Sequence, residues 1–163
     1  MNPEGTKAHD QAGFTVVELV VVLVIVGILA GIALPRFFSR ATFESRGFHD
    51  QALAALRYAQ KAAVASRRNV CANFTTPGTI AFTIAAAAGS AQPCTVALAG
   101  PGAEASFSVT APAGVALAST SATFAFDALG RPSPNAAVTL TITATGETDR
   151  NITVEQETGY VHP

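Results

Sequence analysis

The longest pattern in the chain is an apolar run near its start. It extends from Phe14 to Leu34, 21 residues, and only Thr15 and Glu18 interrupt it. A helix of that length is about 31 Å long, close to the ~30 Å hydrocarbon thickness of a bilayer. The pattern predicts a membrane-spanning helix over residues 14–35.

Glu18 is the unusual position in this run. A carboxylate inside an apolar membrane segment costs at least ~2.5 kcal/mol on insertion scales and usually marks a functional position. We therefore predict that Glu18 has a functional role. The alternative is a protonated or snorkelling side chain near the membrane rim. Gly27 and Gly31 form a small-xxx-small pair, which is typical of helices that approach closely.

A second helical pattern follows Pro35. Residues 36–68 are rich in Ala, Leu, Arg, Gln and Lys, with one glycine and no further proline. We expect the helix to continue through Pro35 with a kink, because proline removes a backbone hydrogen bond; the alternative is a helix that ends there. Apolar residues at helical spacing predict a stripe that packs on a sheet: Leu53, Leu56, Ala59, Ala63 and Val64.

Four phenylalanines lie between the apolar run and this stripe. Because they follow the predicted membrane segment, we expect them at the bilayer interface or against neighbouring helices. They are Phe37, Phe38, Phe43 and Phe48.

After Asn69 the period changes to that of strands. Short alternating segments are separated by Pro-Gly and Ala-Gly-Ser turn sequences. The pattern predicts an antiparallel β domain over residues 69–163, packed against the amphipathic helix 36–68, and therefore an α+β fold. The predicted strands cover residues 70–75, 79–85, 94–99, 105–111, 122–126, 137–145, 151–155 and 159–161.

The part of the chain that follows the apolar run has two segments of opposite charge. Residues 36–68 carry seven basic and two acidic side chains, whereas residues 69–163 carry two basic and six acidic ones. An acidic β domain is a poor electrostatic partner for nucleic acid. The basic helix either serves subunit packing or is a solvated face.

The two cysteines, Cys71 and Cys94, do not form a CxxC pair, so the sequence does not favour a metal or thioredoxin-like site. If the β domain lies outside the cytoplasm, we expect a disulfide between them. The bond would stabilise the fold by roughly 3 kcal/mol in a chain-entropy treatment. The alternative is two buried free thiols.

Patterns that support catalysis or cofactor binding are missing from the sequence. The spacing of His9, His49 and His162 offers no metal site, and Gly100-Pro101-Gly102 lacks the lysine and helix of a phosphate loop. Asp127 reads as a turn residue rather than a calcium ligand. We predict no catalytic, cofactor-binding or metal site, and therefore a protein that is not an enzyme.

The junction GFTVVE, residues 13–18, resembles the start of type IV pilins and pseudopilins. In that family a glycine, a methylatable residue and a glutamate open a long apolar helix. The resemblance implies that residues 1–13 are a leader, that prepilin peptidase cleaves between Gly13 and Phe14, and that Phe14 is N-methylated. The new amine on Phe14 of one subunit would neutralise Glu18 of another. An ordinary secretory signal is the alternative, although the polar leader lacks a basic n-region.

A second resemblance, strongest over residues 13–75, is to the GspH/FimT branch of minor pilins, and within it to MshC-like minor pilins of MSHA-type pili. Three stretches support it: Arg57-Tyr58-Ala59-Gln60 with Arg67-Arg68-Asn69-Val70, then Phe126 with Gly130-Arg131, and Ile152-Thr153-Val154 with Gly159-Tyr160-Val161. The resemblance implies a pilin-like α+β fold with a long N-terminal helix, half transmembrane and half amphipathic.

The function that follows is that of a minor pilin, which primes or tips a type IV pilus of the MSHA kind. The alternatives are an H-type minor pseudopilin of a type II secretion system, a FimT-like DNA-uptake pilin and a signal-anchored periplasmic binding domain. Expected partners are other pilins or pseudopilins, prepilin peptidase and an inner-membrane assembly platform. The expected location is the inner membrane, with a periplasmic C-terminal domain, and then the pilus or pseudopilus. Nucleic acid is not an expected partner, because the tail Gly159–Pro163 lacks the two arginines of the DNA-binding form.

Overall fold

One long helix opens the part of the chain that the structure describes. The structure, a computed structural model, describes residues 15–75, 77–89 and 93–163, apart from the side chains of residues 32–41. Helix α1 covers Val16–Ser66, 51 residues, and continues through Pro35 as predicted. The kink at Pro35 stays a prediction. The chain is divided into two compact units, Met1–Phe37 and Phe38–Pro163.

The described residues contain no helix that combines the length and the apolarity needed to cross a membrane.

Helix α1 ends in a Schellman motif. The Arg68 N–H donates to the Ala63 carbonyl at 3.2 Å, and the Arg67 N–H donates to the Val64 carbonyl at 3.4 Å. These are the two bonds that close such a motif. Arg67 takes the left-handed position, with φ of 53°, where glycine is the usual residue. The chain therefore reverses sharply and enters the first strand at Val70.

The buried stripe of α1 differs in part from the predicted one. Leu56, Ala59 and Ala63 are fully buried, as expected, but Val64 is 47% exposed. The stripe instead extends toward the N-terminus, through Phe48, Ala52 and Ala55. The expectation that Phe48 lies at the bilayer interface or against neighbouring helices is wrong, because its ring belongs to the core between α1 and the β domain. Phe43 is 80% exposed.

Among the described residues, ten strands follow the helix, in two antiparallel sheets. In the first sheet the order is β3-β2-β1-β6-β7, with β4 also paired to β2; in the second it is β10-β9-β8-β5. The strands are β1 (Val70–Thr75), β2 (Thr79–Ala85), β3 (Cys94–Ala97), β4 (Ser108–Thr110), β5 (Val115–Ser119), β6 (Thr123–Phe126), β7 (Pro132–Ser133), β8 (Val138–Ala144), β9 (Arg150–Val154) and β10 (Val161–His162).

One hydrophobic core joins the helix stripe to both sheets. In β8, the side chains of Val138, Leu140 and Ile142 are buried while the threonines between them are not, as the alternation predicts. Phe82 of β2 stacks on Phe107 at 5.2 Å between ring centroids. The α+β fold, with a helix on an antiparallel β domain, is therefore the observed architecture, and residues 38–163 enclose the core.

Candidate functional site

The first turns of α1 present apolar side chains on every side of the helix. Twelve large aliphatic residues are each 49–79% exposed. A helix that is hydrophobic all round is stable only when lipid or other protein covers it. This segment is therefore the part of the described chain that most requires an external partner. The exposed residues are Val16, Val17, Leu19, Val20, Val21, Val22, Leu23, Val24, Ile25, Val26, Ile28 and Leu29.

Thr15 caps the N-terminus of this helix. Its hydroxyl oxygen accepts a hydrogen bond from the Glu18 N–H at 3.2 Å, and its carbonyl accepts one from the Leu19 N–H at 3.1 Å. Thr-x-x-Glu is the spacing of a capping box, and an acidic side chain in the first turn also complements the helix dipole. The sequence prediction missed this local role of Thr15, although residues 15–18 display the signal.

The other predicted assembly residues are outside what the structure describes. Gly13 and Phe14 precede the first described residue, and the side chain of Pro35 lies in the range that is not described. Cleavage after Gly13, methylation of Phe14 and a kink at Pro35 thus remain predictions. Glu18 lies within the described helix and is exposed.

A disulfide joins Cys71 to Cys94, with the two Cα atoms 6.0 Å apart. It connects the second residue of β1 to the first residue of β3, so the closed loop contains the β1–β2 hairpin apart from Val70. Both cysteines of the chain are used in it.

Two turns that carry the pilin-like motifs of the sequence, one at Gly130 and one at Gly159, contact the side chain of Gln60 on α1. The amide nitrogen of Gln60 donates to the Gly130 carbonyl at 3.0 Å and to the Thr158 carbonyl at 3.3 Å. These carbonyls belong to the β6–β7 turn of one sheet and the β9–β10 turn of the other. A Cβ atom at Gly159 would collide with the Gly130 carbonyl oxygen, so the two turns contact each other directly. Gln60 therefore holds both sheets to the helix.

Arg57, one helical turn earlier, extends this contact to the C-terminal strand. Its guanidinium donates two hydrogen bonds to the Val161 carbonyl, at 2.9 and 3.1 Å. Val161 lies in β10, an edge strand of the second sheet. Because an unpaired edge carbonyl is open to pairing with another strand, these bonds occupy that carbonyl within the chain. These motif residues thus stabilise the fold.

Asp127 organises the β6–β7 turn, as the sequence analysis predicted. Its carboxylate accepts hydrogen bonds from the N–H groups of Leu129 and Arg131, both at 2.9 Å, and pairs with the Arg131 guanidinium at 3.1 Å. Burial alone would raise the pKa of Asp127, but these hydrogen bonds and the guanidinium charge outweigh it and hold the pKa below its ordinary value. Its bonds are those of a turn residue rather than of a cation ligand.

Two histidines lie in the described part of the chain. The Nε2 atom of His162 is 2.8 Å from a Glu155 carboxylate oxygen, and this contact raises the pKa of His162. His49 is almost fully buried, with Nε2 3.3 Å from the Asn151 carbonyl. No cluster of three metal-ligating side chains occurs among the described residues.

Two family profiles match the chain. The prokaryotic N-terminal methylation motif matches residues 8–34, and the type II transport protein GspH family matches residues 50–158, well over half of the chain. Curated proteins provide no match.

Two solved structures share the fold at low identity. The type IV minor pilin FimU of Pseudomonas aeruginosa is 18% identical with a TM-score of 0.53, over 72% of this chain and 90% of its own. The minor pseudopilin EpsH from the type 2 secretion system of Vibrio cholerae is 12% identical with a TM-score of 0.54, over 73% of this chain and 94% of its own. The described fold is therefore pilin-like. Together with the matches over residues 8–34 and 50–158, this shows that the chain belongs to the GspH family and has a prokaryotic N-terminal methylation motif.

Proposed function

We propose that the chain is a minor pilin that enters a type IV pilus of the MSHA kind and primes or tips its assembly. The observation that supports this most directly is the methylation motif on an apolar helix whose side chains are exposed all round. The β domain that follows the helix in sequence forms the folded body of the subunit. The helix provides the surface by which subunits associate. The resemblance of residues 57–60 and 67–70 to MshC-like pilins supports the MSHA assignment.

Assembly begins, in this proposal, with cleavage between Gly13 and Phe14 by prepilin peptidase. Cleavage creates a cationic amine on Phe14, one helical turn from Glu18, and N-methylation of Phe14 keeps the positive charge. The Glu18 carboxylate in an apolar environment is unfavourable without a cation. The Phe14 amine of an adjacent subunit neutralises Glu18, so two helices side by side are more stable than one.

The proposed location follows from the same segment. The helix over residues 14–35 holds the subunit in the inner membrane until the assembly platform transfers it to a filament. The β domain lies on the periplasmic side, where the disulfide between Cys71 and Cys94 forms. The protein acts by assembly, with no catalytic step.

An H-type minor pseudopilin of a type II secretion system is the second candidate. The match to the GspH family and the shared fold with EpsH support it. Two experiments separate the candidates. A minor pilin is recovered with filaments that are sheared from the cell surface. Deletion of a minor pseudopilin stops the release of folded proteins from the cell.

A DNA-uptake pilin is less well supported. The tail ends in Val161-His162-Pro163, without the arginines of the DNA-binding form, and the surrounding β domain is acidic.

The test replaces Glu18 with Gln in the full chain, in the bacterium that produces it. Glutamine keeps an oxygen for the capping box but removes the charge, so membrane insertion is retained and incorporation into sheared filaments, or into the pseudopilus, falls at least about tenfold. Immunoblots of membrane and filament fractions measure both quantities.

The matched control is Thr15→Ala, which removes the capping hydrogen bond and keeps the carboxylate. Its cost is about 1 kcal/mol of helix stability, so we expect incorporation near the unmodified level. If Glu18→Gln were incorporated as well as the unmodified chain, the charge-pairing mechanism would be wrong.

A further inference from the structure

The outer face of the second sheet carries a tripeptide that neither the core nor the proposed function uses. Strand β9 begins at Arg150 and contains Asn151-Ile152-Thr153. An asparagine followed two residues later by serine or threonine, with any residue except proline between them, is the acceptor sequence for N-glycosylation. Such a sequence is meaningful only where the asparagine lies on the surface of an exported domain.

The period of the strand turns the asparagine and the threonine toward solvent. Ile152 is fully buried, whereas Asn151 is exposed and Thr153 is partly exposed. Side chains two residues apart on a strand lie on the same face, about 6.6 Å from each other along the strand. Asp149 stands two residues before Asn151 and is exposed as well. A carboxylate, an amide and a hydroxyl therefore follow one another at two-residue spacing, and all three reach solvent.

The side-chain amide of Asn151 is free. Asn151 takes part in the fold through its backbone, which pairs with Thr141 of β8, and its carbonyl oxygen lies 3.3 Å from Nε2 of His49. No hydrogen bond or ion pair between residues that the structure describes involves its side chain. A substituent on the Nδ2 atom of Asn151 therefore removes no contact that holds the sheet together.

The strands beside Asn151 leave room for a bulky substituent. Thr141 is its partner on β8, and Ala118 of β5 is the next residue across the sheet. On the other side, β10 pairs only with Thr153 and Val154 of β9, so no strand lies beside Asn151 there. Among its strand neighbours, a sugar on Asn151 would meet short side chains only.

A second Asn-x-Thr sequence in the chain, Asn73-Phe74-Thr75, lies in a different environment. The Nδ2 atom of Asn73 donates to the Thr83 hydroxyl at 3.3 Å, and its Oδ1 atom accepts from the Thr123 hydroxyl at 3.0 Å. Strand β1, which contains Asn73, lies between β2 and β6. The nitrogen that would carry a sugar is thus already bound across the sheet, so the fold favours Asn151 over Asn73.

Charge also separates the two sequences. Asp149 precedes Asn151 by two residues, whereas no acidic residue occurs from Asn69 to Ala103, the segment that contains Asn73. A transferase whose sugar donor releases a diphosphate needs cations beside its acceptor site to bind that leaving group. An exposed carboxylate next to the acceptor asparagine is attracted to such a site. The charge therefore favours the same asparagine as the contacts do.

We propose that Asn151 is an N-glycosylation site, and that the donor is a glycan joined through a diphosphate to a lipid carrier on the periplasmic side of the membrane. The Nδ2 atom of Asn151 bonds to the anomeric carbon of the glycan, and its proton passes to a base of the transferase. The bond from that carbon to the diphosphate oxygen breaks, and the lipid diphosphate leaves with the electron pair.

Transfer takes place before β9 pairs with β8, because the paired backbone holds Asn151 in the sheet. Folding then leaves the glycan on the outer face of the second sheet, where the Asn151 side chain is exposed. Only export of the β domain is required. The site is therefore independent of whether the filament is a pilus or a pseudopilus.

The test is mass spectrometry of the full chain isolated from the bacterium that produces it. After reduction, trypsin cleaves behind Arg68 and Arg150 but not between Arg131 and Pro132, so residues 69–150 and residues 151–163 form separate fragments. The first fragment contains Asn73 and the second contains Asn151. We expect the mass of a glycan on the second fragment, with fragmentation spectra that place it on Asn151, and none on the first.

Substitutions test each part of the acceptor sequence. Asn151→Gln and Thr153→Val should each lower the glycosylated fraction at least about tenfold, because a site built to bind a polar group rejects an analogue that lacks it there. Thr153→Ser keeps the hydroxyl and should retain the glycan. Asp149→Asn should lower the fraction about fivefold, the effect of one exposed ion pair. Thr141→Val, on the neighbouring strand and outside the acceptor sequence, is the matched control and should leave the fraction unchanged.

An unmodified fragment 151–163 would overturn the proposal. A glycan on Asn73 in place of Asn151, a glycan on a threonine hydroxyl of the second fragment, or a glycan that persists in Thr153→Val would overturn it as well. These results leave the filament role intact, because incorporation into sheared filaments or the pseudopilus measures that role separately.

Discussion

Gly159 occupies a position where no side chain fits. Its φ is +66°, and a Cβ atom there would collide with the Gly130 carbonyl oxygen and lie 2.9 Å from the Gln60 amide nitrogen. Gly146 has a similar φ of +82° but nothing within 4 Å of the corresponding point. The two glycines therefore share a backbone requirement and differ in the space around them.

We predict that Gly159→Ala lowers the free energy of unfolding by about 3 kcal/mol or more, because the two turns must separate. Gly146→Ala should cost about 1 kcal/mol, the price of the left-handed conformation alone. Thermal unfolding of the full chain in detergent, followed by circular dichroism, compares them. Equal losses for the two variants would show that the turn contact does not matter.

Asp127 links stability to acid pH. Its folded pKa lies below its ordinary value of 3.8, so the stabilisation that it provides is present above 3.8 and is lost as the pH falls through the folded pKa. Asp127→Asn should lower the midpoint temperature of unfolding at neutral pH. Below pH 3.8 the difference in midpoint between the variant and the unmodified chain should become smaller. Midpoints measured across that range give the comparison. A difference that stays constant with pH would refute the linkage.

At the scale of single elements, regular alternation was the reliable signal. The predicted strands 70–75 and 79–85 coincide with β1 and β2, and the alternation in β8 was read correctly. Strand β5 was missed because Ala116 and Ala118 stand at its exposed positions, so the contrast with Val115 and Leu117 is weak. The two-residue strand β7 exists only through pairing with β6, which no local pattern encodes.

The helix shows a similar limit. The 3.6-residue period placed Leu56, Ala59 and Ala63 on the core face, but it could not show where along α1 the core begins. The core begins at Phe48, which the sequence analysis had assigned to an interface. Gln60 was read as part of a family motif, and its contact with two turns 28 residues apart depends on tertiary structure alone.

The disulfide closes a loop that contains the β1–β2 hairpin apart from Val70. The separation of Cys71 and Cys94 is 23 residues, so its loss should lower the free energy of unfolding by roughly 3 kcal/mol in the chain-entropy treatment. We predict this loss for the double variant Cys71→Ala with Cys94→Ala, by denaturant titration. Reductant should destabilise the unmodified chain by a similar amount and leave the double variant unchanged. If reductant had no effect on the unmodified chain, the disulfide would not contribute to its stability.

At the scale of the whole molecule, the chain combines a self-sufficient part and a dependent part. Residues 38–163 enclose their own core, whereas the apolar side chains of Val16–Leu29 have no cover. Charge follows a related division, with a basic helix segment before an acidic β domain. Composition and hydropathy made this division readable in the sequence. The contact of Gln60 with the β6–β7 and β9–β10 turns required the structure, because it depends on which face of the helix the sheets cover.

The central claim is that residues 1–13 are a leader whose removal creates the assembling N-terminus. The most direct measurement is the intact mass and N-terminal peptide sequence of the full chain isolated from its producing bacterium. We predict a chain that begins at Phe14, with one methyl group on its amine. A chain that still begins at Met1, or one cleaved at another position, would contradict the account.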